Sequence, residues 1–144
     1  MFSKACEYGI RATIYIATQS YEHKRVSLKD IAKKIGSPEA FTAKILQQLV
    51  RSNIIDSVKG PSGGFDIEVK KLHKINLGQV VTSIDGDALF TECGLGLKEC
   101  SSLKPCPVHD QFKKIREDLK EMLGNTNLYD LSLGQKEGLS FLKQ

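Results

Sequence analysis

The chain has 144 residues, 40% hydrophobic and 26% charged, with no tryptophan and a net charge of +4. That describes one ordinary globular domain or a small domain with an appendage, and it excludes an α/β barrel, a collagen-like chain and a disordered one. The charge is uneven: residues 1–73 carry 12 Lys/Arg against 7 Asp/Glu, whereas residues 74–144 carry 9 against 10, so the first half is the one suited to polyanions.

Residues 4–19 contain no breaker except Gly9, and Ala5, Ile10, Ala12, Ile14, Ile16 and Ala17 suit a largely buried first helix. Ser27-Leu28-Lys29-Asp30 resembles a capping box with Asp in place of Glu. Leu28, Ile31, Ala32 and Ile35 then share one face of a short helix that Gly36 ends. Ser37-Pro38-Glu39 offers an N-cap, a proline at the first helical position and an acid in the first turn; Phe41, Ile45, Leu46, Leu49 and Val50 follow at helical spacing. After Asn53 the pattern turns strand-like through Ile54, Ile55 and Val58, and Phe65, Ile67 and Val69 alternate with Asp66, Glu68 and Lys70. The glycine-rich link Lys59-Gly60-Pro61-Ser62-Gly63-Gly64 joins the two runs as a hairpin. Helix, turn, helix and two-stranded wing is the order of a winged helix-turn-helix.

Residues 77–84 form a short helix candidate, and residues 85–107 a loop rich in Gly and Cys. Pro107 opens a final long helix in which Phe112, Ile115, Leu119, Met122 and Leu123 recur at spacings of three and four. So narrow a stripe suits a dimer seam, and intramolecular packing accounts for it equally well. Asn125-Thr126 stops or kinks the chain. The expected fold is therefore mainly α with a small β-hairpin. A winged helix-turn-helix domain occupies residues 1–76, and a cysteine-rich loop with a long dimerisation helix occupies residues 77–144.

No apolar run approaches the roughly 18 residues of a membrane span, and the N-terminus lacks the pattern of a secretory signal, so a cytoplasmic protein without a membrane partner is expected. In that compartment cysteines point to metal or redox chemistry. Cys93, Cys100, Cys106 and His109 follow the spacing C-x6-C-x5-C-x2-H within a glycine- and proline-bearing loop. Thiolate and imidazole suit iron or zinc. A zinc site remains open from the residues alone, although zinc ribbons usually contain a close C-x2-C pair that is missing here.

The helix that starts at Ser37 is the candidate groove helix. Ser37, Glu39, Ala40, Phe41, Ala43 and Lys44 are its candidate DNA contacts, with Lys59, Gly60 and Ser62 on the wing reaching phosphate or the minor groove. No catalytic constellation competes. The glycine loop lacks the G-x4-G-K-S/T order of a phosphate cradle, and His23 and His73 have no placed nucleophile, so an enzyme is not expected.

The helix-turn-helix, the Lys59-Gly60-Pro61-Ser62-Gly63-Gly64-Phe65 wing and the three-cysteine loop together resemble the IscR/NsrR group of bacterial winged-helix regulators, in the Rrf-two superfamily. The resemblance runs from residue 1 to about residue 130. It includes Glu7-Tyr8-Gly9-Ile10-Arg11, Ser27-Leu28-x-Asp30-Ile31-Ala32 and Leu77-Gly78-x-Val80-Val81. It implies a homodimer joined through the long helices, a repressor of palindromic double-stranded promoter DNA, and an iron–sulfur cluster on Cys93, Cys100 and Cys106. The implied cluster is 2Fe–2S, with 4Fe–4S as the alternative, and the resemblance implies that it senses iron, redox state or nitric oxide. The fourth ligand is His109 in one branch of the family; in another it is an acidic residue of the first helix, at the place of Glu7, reaching across the dimer. The gap from Cys93 to Cys100 is one residue longer than in the best-known members. Two other readings compete: a cluster-free regulator of the same fold that uses cysteine oxidation, and a zinc-stapled protein-interaction module that never meets DNA.

Overall fold

The computed structural model describes residues 1–98 and 101–142. It begins with α1 (Lys4–Tyr21), whose N-cap Ser3 accepts the Cys6 N–H at 3.0 Å. Ala12, Ile16 and Ala17 are fully buried along it, because four other helices lie against this one: α2 (Leu28–Ile35), α3 (Glu39–Arg51), α4 (Leu77–Asp85) and α7 (Leu128–Lys136). The approach of α4 depends on Gly9, where a Cβ would collide with the end of Ile84.

The turn between α2 and α3 departs from the expected cap. Gly36 is left-handed at φ 68°, and the Ser37 N–H donates to the Ala32 carbonyl at 3.0 Å, which closes α2 with a Schellman motif. Ser37 is thereby spent on ending one helix rather than starting the next. It is buried, its hydroxyl has no hydrogen-bond partner among the described residues, and Pro38 occupies the N-cap position of α3 with no side-chain bond.

Asn53 takes φ 59° and the Ile54 N–H returns to the Leu49 carbonyl at 3.0 Å, so α3 ends in the same manner. The wing follows: β1 (Asp56–Val58) pairs antiparallel with β2 (Gly64–Asp66), Ser57 facing Phe65. Phe65 also exchanges backbone bonds with Val26, at 2.7 and 3.1 Å, which ties the wing to the segment before α2. The second strand stops short of Val69. The Ile67 N–H donates to Ser20 Oγ at 2.9 Å inside the core, and Val69–Lys71 coil into a 3-10 turn.

Asn76 and Gln79 cap α4 reciprocally. A short helix, α5 (Ala88–Thr91), interrupts the stretch read from sequence as loop. The helix α6 (His109–Gly124) begins two residues after Pro107. The sequence reading contains no α7, yet Asn127 caps it by accepting the Asp130 N–H at 2.8 Å, and Leu128 is wholly buried. Backbone bonds from Leu77 to Thr126 and from Leu128 to Ile75 hold its start beside α4. The main core joins Ile16, Ile31, Leu46 and Leu49 to Val80 and Leu128, residues from both sides of position 76. Among the described residues no helix is long and apolar enough to cross a membrane.

Candidate functional site

The outer face of α3 presents Glu39, Ala40 and Lys44 to solvent, while Thr42, Ile45, Leu46 and Leu49 face the core and Ala43 lies between. Phe41 does both jobs. It is 37% exposed, and its ring meets Tyr8 of α1 edge-on at 5.8 Å between centroids and 82° between planes, which fixes the start of α3 against α1. Gln47 and Arg51 extend the exposed face one and two turns beyond Lys44. Helical spacing from Lys44 was the signal that would have added them to the candidate contacts. On the wing, Lys59, Gly60 and Ser62 are exposed; Gly60 has φ 104° and its carbonyl accepts the Gly63 N–H at 2.9 Å. Ser37, by contrast, is withdrawn from this face.

Behind α3, α4 holds that helix from the core side. Gln48 Nε2 donates to the Ser83 carbonyl at 2.7 Å, and Ser83 Oγ donates to Ser52 Oγ at 2.8 Å. The end of α4 is fastened in turn to the start of α1: the Asp85 carboxylate accepts the Ser3 N–H at 3.0 Å and the Ser3 hydroxyl. The next element along the chain is α5, which leads into the cysteine loop.

In that loop the backbone wraps around Cys93. The Leu95 N–H donates to Cys93 Sγ at 3.4 Å, and Gly96, at φ 72°, turns the chain so that its N–H reaches the Cys93 carbonyl at 2.9 Å. The N–H groups of Leu95 and Leu97 hold the Cys93 thiol below its ordinary range, helped by the Cys106 side chain and the charge of Arg116 and opposed by burial. Cys106 accepts the His109 N–H on its carbonyl at 3.1 Å, and His109 is buried at the first position of α6. Cys93, Cys106 and His109 thus collect near one end of α6. Cys100 lies outside the described residues. Among the described residues no three His, Cys, Asp or Glu side chains form a metal-binding group. Glu7 stands exposed on α1, paired with Lys4 at 3.3 Å. Its neighbour Cys6 is fully buried, and burial, with the Asp85 carboxylate beside it, pushes that thiol up to about 12.

Of the expected donor set the structure describes Cys93 and Cys106, whose chemistry suits an iron–sulfur group. Thiols turned towards each other, with backbone N–H groups aimed at sulfur, are the ligand type and supporting hydrogen bonding that such clusters use.

The apolar stripe of α6 is divided. Leu123 is buried with Cys6 and Val81 inside its own protomer and Leu119 packs on that cluster, so Leu123 is not free for a seam. Phe112 lies against Gly94, where a Cβ would strike its ring. Ile115 and Met122 remain 58% and 51% exposed. A groove of about 560 Å³ runs along this edge, lined by Ser3, Leu89, Cys93, Phe112, Ile115 and Leu119 among others.

A helix-turn-helix with a two-stranded wing, tied through its core to a cysteine loop, defines a transcriptional regulator of the winged-helix class. Residues 2–133 match the family model described as "Rrf2: Iron-dependent Transcriptional regulator", and the chain belongs to the Rrf2 family. A chain of Aquifex aeolicus named as an HTH-type transcriptional regulator is 31% identical over 134 residues, 91% of this chain and 90% of that one. Among solved structures, CymR of B. subtilis, titled the global cysteine regulator, superposes with a TM-score of 0.74 at 22% identity, covering 92% of this chain and 95% of its own. T. potens IscR gives 0.73 at 21%, covering 100% and 93%. At those identities the two structures bear on fold alone. The family and its named relatives are transcriptional regulators and not enzymes, which sets aside a protein-interaction module that never meets DNA.

Proposed function

We propose that this chain is a homodimeric repressor of promoter DNA whose grip on a palindromic operator is set by an iron–sulfur cluster, 2Fe–2S in the first instance, held by Cys93, Cys100 and Cys106. The observation that carries the reading is the wrapped loop, in which the Cys93 sulfur takes backbone N–H donors and lies beside Cys106. His109 is the ligand candidate within the same protomer, because its backbone bond keeps it next to Cys106. Glu7, on α1, is the alternative ligand, reaching across the dimer as the family resemblance implies. When bound, the cluster supplies a cross-link among these side chains that oxidants, nitric oxide or iron shortage remove. The chain's own residues then carry the consequence: α5 links the loop to α4, and α4 holds Gln48 and Ser52 of the groove helix and, through Asp85, Ser3 of α1. A shift at the loop is thereby felt where Lys44 and Lys59 meet DNA. Residues 1–76 act as the reading head and residues 77–144 as its controller, with Ile115 and Met122 as the exposed part of the dimer seam.

Anaerobic purification followed by visible absorption, iron and acid-labile sulfide analysis tests the cluster. The expected result is a coloured protein carrying both elements that loses them when Cys93, Cys100 and Cys106 are changed to Ser. A colourless, zinc-only protein overturns the reading. The contact between Cys93 and Cys106 favours one alternative, a cluster-free regulator switched by thiol oxidation; that protein would hold no iron and would change its operator affinity with peroxide alone.

A further inference from the structure

Arg11 lies one helical turn after Tyr8 on α1, with its guanidinium carbon 4.8 Å from the centroid of the Tyr8 ring. Lys4 holds its ammonium 5.3 Å from the same ring. The edge contact between Tyr8 and Phe41 sets this group beside the first turn of α3. The two cations differ in what they have left to give. Lys4 is paired with Glu7 at 3.3 Å, whereas the Arg11 guanidinium makes no hydrogen bond or ion pair among the described residues. Its stem is half-buried and its planar head is oriented by an aromatic ring, so the fork of N–H donors is pre-organised and unspent.

We infer that Arg11 clamps a backbone phosphate of the bound duplex, at the edge of the groove that α3 enters. A guanidinium matches a phosphate oxygen pair in a bidentate manner, and the aromatic seat removes part of the ordering cost of the contact. The anion is assigned to DNA because the ring that seats Arg11 also touches the partly exposed Phe41 in the first turn of α3, so a duplex docked on that turn lies close to Tyr8 and Arg11. The contact fixes position rather than sequence. It adds a third point, on α1, to the groove helix and the wing. The inference rests on reading α3 as the groove helix.

The test uses the full-length protein, a duplex it enriches from random sequence, and an unrelated duplex of equal length, with affinity measured across a salt series. Arg11→Gln is expected to bind both duplexes about fivefold more weakly and to flatten the slope of log affinity against log salt by about 0.9. Arg11→Lys, which keeps the charge and most of the stem, is expected to regain the slope and part of the affinity, an outcome that a folding defect would not give. A wild-type slope in Arg11→Gln overturns the inference. Lys44→Ala, run alongside, separates the two levels: loss in Lys44→Ala with none in Arg11→Gln removes the α1 contact alone. A wild-type protein that binds neither duplex in a salt-dependent way removes the reading of α3 on which it rests.

Discussion

Arg25 Nε donates to Asp66 Oδ2 at 3.0 Å, and through this pair the segment before α2 holds the second strand of the wing. Arg25 Nη1 also donates to the Ser62 carbonyl at 3.3 Å, so one guanidinium touches both the strand and the turn. Both side chains are about one-third exposed, which limits the stabilisation to about 0.5–1 kcal/mol. The larger effect is on where Lys59 sits. Arg25→Ala should cost little in urea unfolding and yet weaken operator binding several-fold. In a double-mutant cycle with Lys59→Ala the losses should not add, because the second change removes the group that the first positions. Strict additivity would show that Arg25 acts on DNA in its own right.

At Gly9 α1 and α4 pack so closely that Ile84 fills the space a side chain would need. Gly9→Ala gains about 1 kcal/mol of helix propensity and loses about 1–3 kcal/mol to overpacking, so a net loss of about 1 kcal/mol is expected. Ile84→Val in the same chain should restore the urea midpoint by withdrawing the colliding methyl. If Gly9→Ala raises the midpoint by itself, the helices are free to part and the link from α4 to the groove helix is looser than the packing implies.

The buried hydroxyl of Ser37 has no partner among the described residues, so it contributes desolvation cost without a compensating bond. Ser37→Ala should leave stability unchanged or raise it by about 1 kcal/mol. Operator affinity should stay at the wild-type value, since the side chain is withdrawn from the exposed face of α3. A drop in affinity with unchanged unfolding would return Ser37 to the DNA surface.

Ser37 also illustrates what the sequence can and cannot say. A Ser-Pro-Glu triplet is an N-cap signal, but a Gly-Ser pair after a helix is equally the end of a Schellman motif. The choice was settled by the Ala32 carbonyl, which local pattern does not rank. The reading head was legible because its signals are local: Ser27 capping, the left-handed Gly36, the alternating wing and its glycines. The Cys93 and Cys106 neighbourhood was legible as composition, although the N–H groups of Leu95 and Leu97 that serve the sulfur carry no side-chain signature. Arg11 was invisible as a contact because its meaning depends on Tyr8 and Phe41 meeting across two helices. The stripe on α6 was read whole, and only tertiary packing separates inward Leu123 from outward Ile115.

The same limit hid α7, whose Asn127-x-x-Asp130 start follows a break and whose nine residues are too short to show a clear helical period. Leu128 is nevertheless in the main core with Ile16 and Leu72. Leu128→Ala should cost about 2–5 kcal/mol, as large-to-small changes at fully buried leucines do. Loss of operator binding should track the fraction unfolded and nothing more, because α7 carries none of the candidate DNA contacts. A small stability loss with a large binding defect would mean that α7 orients the reading heads directly.

Cys6 and Cys93 differ in both things that alkylation requires, access and thiolate character. Cys6 is fully buried and its thiol lies at about 12, so at about pH 8 its thiolate fraction is on the order of 10⁻⁴. Cys93 is partly exposed, and the Leu95 and Leu97 N–H groups favour its thiolate. In metal-free folded protein, iodoacetamide should therefore label Cys93 well before Cys6, as read by peptide mass spectrometry. Denaturant should bring the two rates together, since unfolding removes both the burial and the Asp85 carboxylate at once. Equal rates in the folded chain would mean that α1 opens at its start faster than the reagent reacts, and the Ser3–Asp85 fastening would then be too weak to hold α1 to α4.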